Sequence, residues 1–170
     1  MTIETQVLNY CADKLNQLCG RIETCLAKLT PEQVWMRGAE TQNAAGNLVL
    51  HLTGNVRQWI LTGVGGAPDN RDRDAEFGAR DGITPEELSR RLKQVVDAAV
   101  AIIRTLPTDQ LLARVTIQGH DVSLLEAILH VTEHFSGHTS QIIFITKMVT
   151  GEDLGFYSYL SKPQSHIGQP

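Results

Sequence analysis

Apolar residues recur at three- and four-residue intervals along most of the chain, in stretches that end at glycine or proline. That spacing places one face of an α-helix against a core. It predicts four long helices. The first spans about 3–29, with Val7, Leu15, Leu18, Ile22 and Leu29 on its apolar side. The second spans about 44–62 and carries Leu48, His51, Leu52, Asn55, Trp59 and Leu61. The third spans about 85–105, with Leu88, Leu92, Val95, Val96, Ala99 and Ile103. The fourth spans about 124–150.

The punctuation between these stretches agrees with their ends. Thr30-Pro31-Glu32-Gln33, Thr84-Pro85-Glu86-Glu87 and Ser123-Leu124-Leu125-Glu126 each set a hydroxyl where it can cap a helix, with Gln or Glu three residues on. Thr30 therefore opens a short helical turn over 31–36. Gly151 sits where a left-handed residue closes the last helix. A long loop is expected over 63–83, and its mixed-sign stretch 69–80 reads as solvated. The stretch 114–122 alternates around Gln118-Gly119, which predicts a short hairpin or an extended crossover. The aromatic-bearing tail, 152–170, is expected to pack back on the body. The whole reads as one domain over 1–170. Its fold class is all-α: a four-helix bundle with a long crossover and a short hairpin before the last helix.

Composition narrows the partners. Of 170 residues 42% are hydrophobic, enough for one real core. A net charge of −4 argues against nucleic acid, which selects a basic face. No apolar run reaches the roughly 20 residues that span a bilayer, and the N-terminal stretch lacks a signal-peptide pattern. The three cysteines, Cys11, Cys19 and Cys25, form no C-x-x-C and read as packing residues on one helix. These features predict a cytoplasmic, reduced protein without a membrane partner.

The chemistry concentrates in histidines. His130, His134 and His138 stand four apart on the fourth helix, and His51 lies on an apolar stretch of the second. Positions four apart share a helix face, but three of them spread over about 80°. One point can take two neighbours, so His134 pairs with either His130 or His138, and His51 can join from the second helix. Three neutral imidazoles with a vacant position make a catalytic divalent metal site. No Glu follows the first His of either pair, so the H-E-x-x-H protease pattern is absent. His120, in the expected turn, and His166, in the tail, read as surface residues.

NLVLHLTGNVRQWI together with HVTEHFSGHTSQI resembles the DinB-like superfamily of metalloenzymes, and most of all an uncharacterised bacterial branch of it. The resemblance covers nearly the whole chain, down to the DLGFY tail. It is specific at H-x-x-x-H-x-x-Q-I, matched by His134, His138, Gln141 and Ile142. It implies that His51, His134 and His138 bind one divalent metal, zinc or nickel, and leaves His130 one turn away as an extra histidine beside the site. It also implies a thiol-dependent transferase using a low-molecular-weight thiol such as bacillithiol, mycothiol or glutathione. A hydrolase acting on a small molecule is the close variant. The other class is a non-catalytic metal-binding or stress-related protein with a structural or vestigial site. Asn47 and Asn55, one turn either side of His51, are candidates to orient an imidazole or meet substrate; Arg57 and Gln58 are weaker ones. Relatives are commonly homodimers. Ile142, Ile143, Phe144, Ile145, Met148 and Val149 nearly encircle the last helix, which predicts a covered helix: a homodimer, with cover by the tail aromatics of the same chain as the alternative.

Overall fold

The computed structural model describes residues 1–161. The first long helix, α1, covers Ile3–Leu26 and is capped by Thr2, whose hydroxyl accepts from the Thr5 amide. A single 3₁₀ turn, Gln33–Trp35, follows. Its start is a reciprocal cap: the Thr30 hydroxyl accepts from Gln33 N, and the Gln33 side chain accepts from Thr30 N. Helix α2 covers Ala45–Val56 and runs on as a π-helical segment, Arg57–Val64. Helix α3 is a short piece, Arg73–Gly78. Helix α4, Pro85–Thr105, begins at Thr84 as the proline and capping hydroxyl require. Strands β1, Arg114–Ile117, and β2, His120–Ser123, pair antiparallel. Gln118 and Gly119 both have positive φ, 53° and 81°, the backbone of a two-residue hairpin turn. Helix α5, Leu124–Thr150, carries a complete capping box at Ser123 and Glu126 and stops at left-handed Gly151, φ 70°.

Helix α1 packs on α4 and α5, and α2 bridges α4 and α5. The core between them holds Leu15, Ile22, Leu52, Ile60, Leu92, Ile103, Ile128 and Phe135, all fully buried. Each such side chain contributes about 1.5–3 kcal/mol by leaving water. Cys11, Cys19 and Cys25 are free thiols inside that core. Burial, with Glu23 next, pushes the Cys19 thiol up to about 12, which makes it inert. In the tail, Leu154 and Phe156 pack on the core, and Arg21 of α1 donates to the Tyr157 hydroxyl at 3.3 Å. His166 lies outside the described residues.

Two expectations need correction. The second long helix does not stay α-helical to residue 62. The hairpin closes on it where Gly63 lies, since a Cβ there would press into the Ile117 side chain. A π turn widens the helix at that contact, a local change that apolar periodicity does not reveal. The mixed-charge stretch 69–80 is not merely a solvated loop. It contains α3, whose N-cap Asp72 accepts from Ala75 N at 3.0 Å, and it places Arg71 and Glu76 inside the protein.

The Ser123 cap is the local test of this fold. Ser123→Ala removes the acceptor for Glu126 N and one of the donors to the Glu126 carboxylate. Denaturant titration is expected to show a loss of about 1 kcal/mol without a change in slope.

Candidate metal centre

His51 enters from α2 and is 6% exposed; His134 and His138, half-buried, enter from α5. Their ring centroids form a near-equilateral triangle: 5.0 Å for His51–His134, 5.1 Å for His51–His138 and 4.5 Å for His134–His138. One nitrogen of each ring lies within 4.8 Å of the others. Among the described residues this is the only group of three His, Cys, Asp or Glu side chains so arranged. Nε2 of His51 stands 2.9 Å from Nε2 of His134.

The outer ring nitrogens have their own partners. Nδ1 of His51 lies 3.1 Å from Oε2 of Glu76, and Nδ1 of His138 lies 2.7 Å from Oε1 of Gln141. A proton on each Nδ1 would satisfy these oxygens and leave the Nε2 lone pairs turned inward. Glu76 is itself gripped by Arg71, with Nε to Oε1 and Nη2 to Oε2 both at 2.8 Å. The remaining nitrogen of Arg71 donates to the Gln58 side chain at 3.0 Å, and Gln58 in turn donates to Asp69 at 2.7 Å. Burial alone would raise the Glu76 carboxyl. Hydrogen bonds from Arg71 and His51, and their charges, outweigh it and hold the carboxyl below its usual value. Burial lowers His134 to about 4, helped by His138, His51, His130 and Arg71 nearby. Burial, and then the His51 charge, also lower His138, against the opposing Gln141 bond. At neutral pH both α5 imidazoles are therefore uncharged and able to bind a cation.

The other predicted residues take different places. His130 is exposed and stands outside the triangle. It stacks on Trp59 at 4.1 Å and on His134 at 5.5 Å, forming one wall of the site. Asn47 is fully buried but makes no hydrogen bond to an imidazole. Its Oδ1 caps Ala44 N, while its Nδ2 donates to the carbonyls of Glu76 at 2.9 Å and Ala79 at 3.0 Å. It thus ties the α3 segment to α2. Asn55 is buried, and its Oδ1 has no hydrogen-bond partner among the described residues. Arg57 donates to Asn70 at 2.9 Å, on the exposed side. Among the expected surface residues, His120 is exposed on β2.

Arg71 and Glu76 are the site residues the sequence reading missed. Their signal lay in α2. Gly54 occupies a helix interior, where glycine is unfavourable. A Cβ there would overlap Oε1 of Glu76 and stand 2.9 Å from Nε of Arg71.

Residues 2–165 match a family described as a protein of unknown function (DUF1572). The chain belongs to this DUF1572 family. No curated protein matches it. Its fold is DinB-like. A DinB-like protein from Bacillus subtilis superposes with a TM-score of 0.66 at 18% identity, over 87% of this chain and 97% of the other. A second, from Bacillus cereus, gives 0.62 at 15% identity, over 77% and 85%. A conserved protein from Enterococcus faecalis gives 0.70 at 16% identity, over 89% and 99%. No described helix is long and apolar enough to cross a membrane.

The lowered pKa of His134 fixes a sign. Between about 4 and its ordinary 6.5 the unfolded chain binds a proton that the folded chain does not. Stability then rises with pH across that window and is lost on acidification through it. Chelator-treated protein is expected to show a falling Tm from pH 6.5 to 4, with a shallower fall in His134→Gln.

Proposed function

We propose that this protein is a divalent-metal-dependent enzyme whose ion, zinc or nickel, is held by His51, His134 and His138. The observation that carries the reading is the convergence of three imidazole nitrogens, two of them with an oxygen acceptor behind the opposite ring nitrogen. That is the arrangement by which proteins fix the tautomer of a metal ligand. The donor set suits a first-row dication. Nitrogens of a tetrahedral zinc centre stand about 3.3 Å apart, a few tenths wider than the His51–His134 separation. With no acidic or thiolate side chain in the trio, the site keeps the full ionic charge and a vacant position. When bound, such an ion lowers the pKa of a thiol or water so that a nucleophile forms at neutral pH. His51, His134 and His138 position it, while Trp59, His130 and Phe77 stand as aromatic neighbours of the trio. The reaction class is transfer of a low-molecular-weight thiol to a small electrophile, with hydrolysis of a small molecule as the variant. The three buried free thiols fit a reducing, cytoplasmic setting.

We further propose a homodimer built on the second half of α5. Phe144 and Met148 are 63% and 70% exposed, beside Met36 at 53%. They line a groove of about 960 Å³ with Leu48, Ile145 and Val149. The described tail packs through Arg21 of α1, so the tail aromatics there do not provide this cover. An exposed apolar strip of this kind favours a second copy.

Elemental analysis of tag-free protein is expected to give about one divalent ion per chain. The ion should be lost in His51→Ala, His134→Ala and His138→Ala and kept in His130→Ala. Full metal content in His51→Ala would overturn the site. A small thiol titrated into the cobalt-substituted protein is expected to give sulfur-to-metal charge-transfer absorption. A bound metal without that signal, and without thiol- or water-dependent turnover, would leave a non-catalytic metal-binding protein.

The assembly has a separate readout. Light scattering is expected to give twice the 18.7 kDa chain mass, falling to the monomer in Phe144→Glu. A parent that runs as a monomer at micromolar concentration refutes the dimer.

A further inference from the structure

We infer that Glu76, gripped by Arg71 and seated on Gly54, is the positioning residue for His51, holding its ring with the proton on Nδ1 and the Nε2 lone pair turned to His134. This rests on the three-histidine reading for its purpose but on the α2–α3 contact for its geometry.

Three observations from separate parts of the chain meet at this carboxylate. First, Oε2 of Glu76 and Nη2 of Arg71 both stand 3.1 Å from Nδ1 of His51. Arginine can only donate. Two arrangements are therefore available: Nδ1–H donates to the carboxylate, or Arg71 donates to a bare Nδ1 and the proton sits on Nε2. The bidentate pair engages Nη2 with Oε2 at 2.8 Å, and Oε2 is an ionised acceptor facing the ring. A bare Nδ1 would set a lone pair against that negative oxygen. A charge-assisted hydrogen bond from Nδ1–H removes the conflict.

Second, the Glu76 and Arg71 side chains are only 9% and 3% exposed. A surface loop needs no buried ion pair to close it, and such pairs are weak stabilisers in themselves. Placing this one on the outer nitrogen of a buried histidine gives it a task that loop closure does not. Third, Gly54 clears the space. Alanine is ordinarily preferred to glycine within a helix. Here a Cβ would collide with the Glu76 carboxylate, with its carboxyl carbon at 2.8 Å. The Asn47 bonds to the carbonyls of Glu76 and Ala79 then hold the segment at a fixed height on α2.

The test uses the full chain in two arms. In metal-free protein, nitrogen-detected NMR of the imidazoles reads the His51 tautomer. The parent is expected to carry the proton on Nδ1, and Glu76→Leu to shift it toward Nε2. In the second arm, zinc affinity is measured by chelator competition. Glu76→Gln keeps an oxygen acceptor but not the charge, and Gly54→Ala displaces the carboxylate by steric collision while Glu76 itself is unchanged. Each is expected to weaken zinc binding, within the roughly 10–100-fold range typical of groups that orient a ligand. A parent tautomer with the proton on Nε2 overturns the inference, even if Glu76→Leu does not fold. So do Glu76→Gln and Gly54→Ala proteins that both keep the parent's zinc affinity while the single histidine variants lose it. If the parent itself takes up no zinc, the metal reading fails, and the tautomer result alone decides the positioning role.

Discussion

His51 is buried between α2 and α5, and a buried imidazole has two ring nitrogens to satisfy. One faces His134 and the other faces Glu76. A carboxylate in that position is tolerable only if it is itself paired, and Arg71 supplies a two-point grip. Removing one partner of such a buried pair typically costs about 3–5 kcal/mol. The connection between α2 and α4 is shaped around this demand. It must fold α3, bring Arg71 and Glu76 inward, and anchor its backbone on Asn47.

The charges are arranged on one side. Arg71 and Glu76 neutralise each other behind His51, while the three imidazoles meet on the other side. Among the described residues, the acid hydrogen-bonded to the trio is Glu76, which lies against an outer nitrogen of His51 and does not belong to the converging cluster. The lowered pKa values of His134 and His138 follow first from burial, and neighbouring imidazoles add to it. Burial thus keeps them neutral, each with a lone pair to offer.

Much of the bundle was legible because its signals are local. The boundaries of α4 and α5, the hairpin turn at Gln118-Gly119 and the closing Gly151 each depend on residues within a few positions. The histidine spacing was legible too, since four residues make roughly one helical turn. Spacing alone did not choose between His130 and His138 as the partner of His134. The rotation of α5 against α2 puts His138 in the triangle and turns His130 to stack on Trp59. Glu76 was not legible, because its contact with His51 spans 25 positions and crosses a stretch whose mixed charges mimic a solvated loop. Two local hints existed: Asp72 as a helix start, and a glycine in the middle of α2. Neither identifies its partner without the tertiary contact.

The three histidines are not held equally. The acceptor behind His51 is a buried, charged carboxylate, whereas the acceptor behind His138 is the neutral amide of Gln141 at an exposed position. A hydrogen bond to an ionised, desolvated acceptor is stronger than a neutral one that exchanges with water. His51 is therefore the fixed reference of the site, and the α5 pair is the adjustable part. The 2.9 Å between the His51 and His134 nitrogens is tighter than the roughly 3.3 Å of a tetrahedral zinc centre, so a bound ion requires a small opening. Under the proposed metal reading, that opening would fall to the less firmly held His134 and His138. Both lie on one helix, four residues apart and half-buried, where a slight rotation of α5 shifts them together.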